Sequence, residues 1–219
     1  MNGKLVIIQG SPRKNGNTAF ACGYLCDVLG KYFETSLIDL CEYDIKHCVG
    51  CRACMKKGIC RIQNDDFNKV WDILTSSDII IQATPVYWYG PPGIMKDFID
   101  RTHSFYLAGR PLAGKKGGII TIATEEGFEC TEKILSCWTI QYGVEMVRMA
   151  RIKAREAGEV RNNKTSLEIL DDFCSAFFKY AGKQDEKESL KKVLSLEKEQ
   201  GTESVPLGDA KLRYERNLC

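Results

Sequence analysis

The sequence predicts an α/β fold, a doubly wound five-stranded parallel sheet in strand order 2-1-3-4-5 with helices on both faces. Three observations predict it. Candidate strands and helices alternate five times along the chain, and such alternation builds a parallel sheet covered by helices. Right-handed crossovers leave few ways to connect such strands. The loops of unusual composition follow strands one, three and four, where a doubly wound sheet binds its ligands.

Lys4–Gln9 (KLVIIQ) is a buried first strand, ended by Gly10. Thr18–Lys31 carries Phe20, Leu25, Val28 and Leu29 at helical spacing. Phe33–Leu40 reads as the second strand. Residues 41–66 show no clear period and form a cysteine-rich insertion. Asp66–Ser76 resumes a helix with Phe67, Val70, Trp71 and Leu74 on one face. Asp78–Thr84, Lys116–Thr124 and Val144–Arg151 are strands three to five, with helices at Ile94–Tyr106, Glu129–Gln141 and Ser166–Ala181. The last helix turns Leu167, Leu170, Phe173, Phe177 and Phe178 inward. Residues 1–182 then form one domain, and residues 183–219 a charged extension, a solvated helix followed by an irregular tail.

The chain has 219 residues, 44% of them hydrophobic, which suits one sizeable domain. Thirty-one Lys and Arg balance 29 Asp and Glu, so a broad electrostatic surface for nucleic acid or membrane is not expected. No stretch approaches the ~20 apolar residues of a membrane span. Residues 1–10 already read as a strand, so no signal peptide is expected and the protein is placed in the cytoplasm. Eleven cysteines, an odd number, argue against a disulfide framework there. Cys22, Cys26, Cys130, Cys137 and Cys174 fall on helices and read as small core hydrophobes, with Cys219 an uninvolved thiol.

Gly10-Ser11-Pro12-Arg13-Lys14-Asn15-Gly16-Asn17-Thr18 joins a strand to a helix. Unpaired N–H groups and the dipole at a helix start attract an anion. Ser11, Asn15, Asn17 and Thr18 add hydroxyl and amide donors, and Arg13 a forked cation. Five residues separate the two glycines, and Asn17 stands where a Walker lysine would be, so nucleoside triphosphate hydrolysis is not expected. The plainer alternative is a strand–helix turn capped by Asn17 or Thr18. After strand three, Pro85-Val86-Tyr87-Trp88-Tyr89-Gly90-Pro91-Pro92-Gly93 is stiff, sharply turned and aromatic. It could border a flat ring, cover the core or line a dimer interface.

Cys48, Cys51, Cys54 and Cys60 have the spacing C-x2-C-x2-C-x5-C. Short gaps let consecutive thiolates face one centre, and a [4Fe–4S] cluster takes four. Structural zinc and no metal at all are the alternatives. Cys41 and His47 lie near enough to serve as spare ligands, and read as loop packing.

Together these segments resemble the NADPH-dependent FMN reductase branch of the flavodoxin superfamily, over roughly residues 3–182, through Gly10–Thr18, Pro85–Trp88 and Gly93–Arg101. The resemblance implies a flavodoxin-like fold with Ser11, Arg13, Asn17 and Thr18 on the FMN phosphate. Pro85, Val86, Tyr87, Trp88 and Gly90 would border the isoalloxazine, with Tyr89 in the same loop. Thr124-Glu125-Glu126-Gly127 would close the far side. The cysteine motif is similar to that of archaeal and bacterial iron–sulfur flavoproteins. The function expected is an FMN-dependent oxidoreductase coupling a [4Fe–4S] cluster to FMN, linked to NAD(P)H or a ferredoxin-like protein. It would be a homodimer or homotetramer. The alternatives are an NAD(P)H-dependent FMN, quinone or nitro-compound reductase without a cluster, and a flavodoxin-like electron carrier.

Overall fold

The computed structural model describes residues 3–106 and 111–181. Five parallel strands form the sheet: β1 (Lys4–Gln9), β2 (Glu34–Asp39), β3 (Ile79–Pro85), β4 (Lys116–Ala123) and β5 (Glu145–Lys153). Their order is β2-β1-β3-β4-β5, as the sequence predicts. Around it stand α1 (Asn17–Leu29), α2 (Ala53–Lys57), α3 (Phe67–Ser76), α4 (Gly93–Tyr106), α5 (Phe128–Gln141), α6 (Glu159–Asn162) and α7 (Lys164–Phe178).

The continuous apolar run of β1 is buried on both faces, as parallel strands between two helical layers must be. Leu5 and Ile7 join a core with Ala21, Leu25 and Leu29 of α1 and Leu170, Phe173 and Phe177 of α7. Val6 and Ile8 point the other way, into a core with α3, Met95 and Phe98 of α4, and Leu135 and Trp138 of α5. The α3 stripe is buried as its period requires: Phe67, Val70, Trp71 and Leu74 all face inward, each contributing about 1.5–3 kcal/mol relative to exposure.

β5 runs two residues beyond the predicted Arg151. It lies at the sheet edge, and its alternating exposed charges obscure its length in the sequence. The last helix stops at Phe178 rather than Ala181. The expected extension over 183–219, Cys219 included, lies outside the described residues. Among the described residues no helix is long and apolar enough to cross a membrane.

The insertion at 41–66 contains α2, which periodicity did not reveal, ended by Gly58 in the left-handed region. Arg101 of α4 closes the insertion. Its guanidinium donates to the carbonyls of Lys46 and Ile62 and to both carboxylate oxygens of Asp65. Arg101 is 1% exposed and stacks 4.7 Å from the Phe67 ring centroid. Asp65 in turn accepts the Lys46 and Phe67 amides. Burial raises the Asp65 carboxyl, but the Arg101 and backbone hydrogen bonds outweigh it and hold the group below the usual carboxylate range.

Of the cysteines read as core packing, Cys22 and Cys174 are fully enclosed. Burial raises both thiols, that of Cys174 to about 12. Cys130 is exposed: α5 turns it outward while its neighbours Phe128 and Thr131 pack inward. Cys41 is half-buried; its thiol donates to the Ser11 carbonyl at 3.4 Å and ties the end of β2 to the loop after β1.

Candidate flavin and cysteine sites

At the carboxyl ends of the strands, four loops meet around a cavity of about 200 Å³. Its wall holds Ser11, Arg13, Gly16, Asn17 and Thr18 from the loop after β1, Pro85, Val86 and Tyr87 after β3, Thr124 after β4, and Ala154, Arg155 and Ala157 after β5. It adjoins an open cavity of about 770 Å³, with Thr124, Ala154, Arg155 and Ala157 in both walls.

The loop after β1 is set by close packing. A Cβ on Gly10 would fall 2.7 Å from Met95 Cε, so only glycine lets α4 approach here. Gly16 takes the N-cap of α1 and no side chain caps that helix. A 13-residue helix therefore presents its first N–H groups to the cavity end, where they favour an anion by about 0.3–1 kcal/mol, more when partly buried. The guanidinium of Arg13 and the hydroxyl of Thr18 have no hydrogen bond among the described residues. Ser11 is buried, and its hydroxyl accepts the Arg13 amide.

Two residues expected to donate here stand differently. The Asn17 amide donates to the Glu156 carbonyl at 2.8 Å and accepts the Val160 amide at 3.3 Å. That side chain joins α1 to the segment after β5, leaving its backbone N–H for a ligand. Asn15 lines a neighbouring cleft along α1 with Lys14, Phe20 and Arg161.

The aromatic segment divides in two. Pro85, Val86 and Tyr87 face the cavity, and the Val86 amide donates to Ile122. Tyr87 and Gly90 then bond to each other through both amides, closing a tight turn. Its central residues, Trp88 and Tyr89, have φ of +48° and +63°, a hairpin geometry that favours Asn and Gly. The turn carries Trp88 out to 95% exposure. The Tyr89 hydroxyl donates to Glu126 at 2.7 Å, and Gly127, at φ +84°, lies under Tyr89 and Val86. The loops after β3 and β4 thus lock together at Gly127, and only Thr124 of the second reaches the cavity.

Arg155 and Ala157 were missed in the sequence. The rule that ligands lie beyond strand carboxyl ends applies to β5 as well, and is the signal that could have found them. Arg155 pairs with Glu125 across the rim at 3.6 Å, both exposed.

Cys48, Cys51, Cys54 and Cys60 line one small cavity of about 30 Å³ together with Arg101, His103 and Ser104 of α4. The described cysteines are all free. Among the described residues no three Cys, His, Asp or Glu side chains are gathered as a metal ion needs. By residue type the set still suits a four-thiolate group: the four cysteines line the same cavity, and Arg101 Nε beside them is buried without a partner.

Fold and site define a flavodoxin-like protein whose first helix starts uncapped at the end of a cavity. The profile of the NADPH-dependent FMN reductase family matches residues 3–153. The chain belongs to that family. It is 37% identical over 102 residues to an iron-sulfur flavoprotein of Clostridioides difficile, covering 45% of each chain. It is 35% identical over 144 residues to an iron-sulfur flavoprotein of Archaeoglobus fulgidus, covering 63% of this chain and 64% of that one. The chain thus spans about half to two thirds of the length of these curated relatives. A solved NADH:FMN oxidoreductase in its apo form superposes with a TM-score of 0.61 at 19% identity, over 83% of this chain and 91% of that one, and shows the shared fold.

Proposed function

We propose that the protein is an FMN-dependent oxidoreductase that couples a [4Fe–4S] cluster to FMN. The observation that carries the flavin half is the uncapped head of α1 beside Arg13, open to a cavity bordered by the loops after β3, β4 and β5. The phosphate would rest on the first N–H groups of α1, with Arg13 and Thr18 as added donors. Pro85, Val86 and Tyr87 would border the ring. Thr124 would stand at its far edge, held by the lock at Gly127. Flavin exchanges one or two electrons, so it can join a two-electron donor to a one-electron carrier.

Four thiolates at Cys48, Cys51, Cys54 and Cys60 would hold the cluster, supported by their shared cavity and by the likeness to iron-sulfur flavoproteins. No Ser, Cys or His nucleophile need act; the chain's part is to bind, orient and shield. The donor is NAD(P)H or a ferredoxin-like protein, and the assembly a homodimer or homotetramer. A cytoplasmic setting suits the free cysteines. A cluster-free NAD(P)H-dependent reductase of FMN, quinones or nitro compounds is the second reading. The adjoining cavity of about 770 Å³ favours it, with room for a second substrate.

Flavin titration separates the phosphate site from the ring site. Arg13→Ala should weaken FMN binding about 10- to 100-fold, the worth of a charged hydrogen bond, and leave riboflavin binding unchanged. Equal FMN affinity in both proteins, or equal losses for FMN and riboflavin, would contradict the assignment.

A further inference from the structure

Arg101 does more than a buried ion pair requires. Its donors reach three separate parts of the insertion: the Lys46 carbonyl before the first cysteine, and the Ile62 carbonyl and the Asp65 carboxylate after the last. One side chain on the rigid helix α4 thus grips both ends of the segment bearing Cys48, Cys51, Cys54 and Cys60. The remaining donor, Nε, is buried and has no partner. A buried donor left without an acceptor is destabilising and calls for a ligand. Arg101 lines the cysteine cavity, and Cys60 is already both a hydrogen-bonding and an electrostatic neighbour of its guanidinium.

We propose that Arg101 is the positioning residue of the cysteine site: it holds the segment's two ends in register before any cluster binds, and offers its free Nε–H to the cluster's sulfur ligands. This rests on the cluster reading above. Partners behind metal ligands fix their orientation and tune the metal. A cation held against sulfur also favours the more negative, reduced state of a cluster, because hydrogen bonds to sulfur and local charge set cluster potentials. Asp65 opposes that effect, since its carboxylate partly neutralises the guanidinium.

The test uses the full chain, purified anaerobically, with Arg101→Gln, Arg101→Lys and Asp65→Asn. Iron-free protein is first read by hydrogen exchange. Arg101→Gln should raise exchange across residues 44–66 about tenfold or more, with α1 and β1 unchanged; unchanged exchange in that segment overturns the clamp. Iron-loaded protein is then read by potentiometry and by resistance to a chelator. Arg101→Gln should bind the cluster about 10- to 100-fold less tightly and shift its potential negative. Arg101→Lys, which keeps the charge, should recover most of the potential. Should both Arg101 variants fail to fold, Asp65→Asn alone decides, with a shift to more positive potential expected. No shift, or a shift in the opposite direction, overturns the tuning role. Wild-type protein that takes up no iron or sulfide sinks the cluster reading and the sulfur-donor role together, while hydrogen exchange still judges the clamp separately.

Discussion

At the scale of single residues, backbone conformation marks where the chain has been committed to the site. Gly127 sits at φ +84°, and a Cβ there would fall 2.7 Å from Val86 Cγ1 and 3.1 Å from Tyr89 Cα. Gly127→Ala therefore meets a left-handed backbone and a clash with two residues of the loop after β3 at once. We expect a loss of about 1–3 kcal/mol in urea unfolding together with weaker flavin retention, because the displaced atoms belong to the loop that borders the cavity. An unchanged midpoint would show that the lock is not needed. Trp88 is the converse case. It holds φ +48° and is 95% exposed, so strain is present with little packing to lose. Trp88→Asn, a residue that tolerates this region, should stabilise the isolated chain by about 1 kcal/mol. Lower stability would mean that the left-handed backbone at Trp88 is not the strain assigned to it.

At the scale of elements, the insertion after β2 is held by charge rather than by its own apolar core. Residues 48–60 contribute no member to either buried core; they are held through Arg101 and Asp65 at the segment's ends and through the contact of Met55 with His103 of α4. Breaking one member of a buried ion pair typically costs about 3–5 kcal/mol, and Arg101→Gln should approach that in the exchange of residues 44–66. The pH dependence has a definite sign. Asp65 titrates below its ordinary value of 3.8 when folded, so its contribution is complete above the unfolded value. It is lost as pH falls through the folded one. The insertion should loosen before the sheet in acid, seen as exchange or proteolysis at 44–66 while sheet signals persist. Simultaneous loss of both would place the acid-sensitive contact elsewhere.

At the scale of the whole molecule, the sheet order and both helical layers were legible because β1, β3 and β4 are short apolar runs and α3, α4 and α7 carry clear stripes. The α3 face of Phe67, Val70, Trp71 and Leu74 is the plainest example. The glycine cap and the arginine beside the end of β1 were legible too, since they are local features. What escaped depends on distant partners. The sequence groups Tyr87, Trp88 and Tyr89 as one aromatic surface, but a bridge between Tyr87 and Gly90 turns the latter two away from the cavity. Asn17 reads as a phosphate donor until Glu156 and Val160, far along the chain, occupy its side chain. Arg155 has no local signature, because the end of the edge strand β5 alone brings it to the site. Arg101 looks like an ordinary helix residue until the insertion closes around it.

The proposal of two redox groups places the flavin in the cavity at the head of α1 and the cluster at the cavity lined by the cysteines. Anaerobic purification followed by analysis of flavin, iron and acid-labile sulfide tests that directly. The account predicts about one FMN with roughly four iron and four sulfide per chain, the iron and sulfide falling away in Cys48→Ala while FMN stays. Yellow protein with full NADPH-dependent activity and no iron would contradict it and leave the flavin cavity as the whole of the machinery.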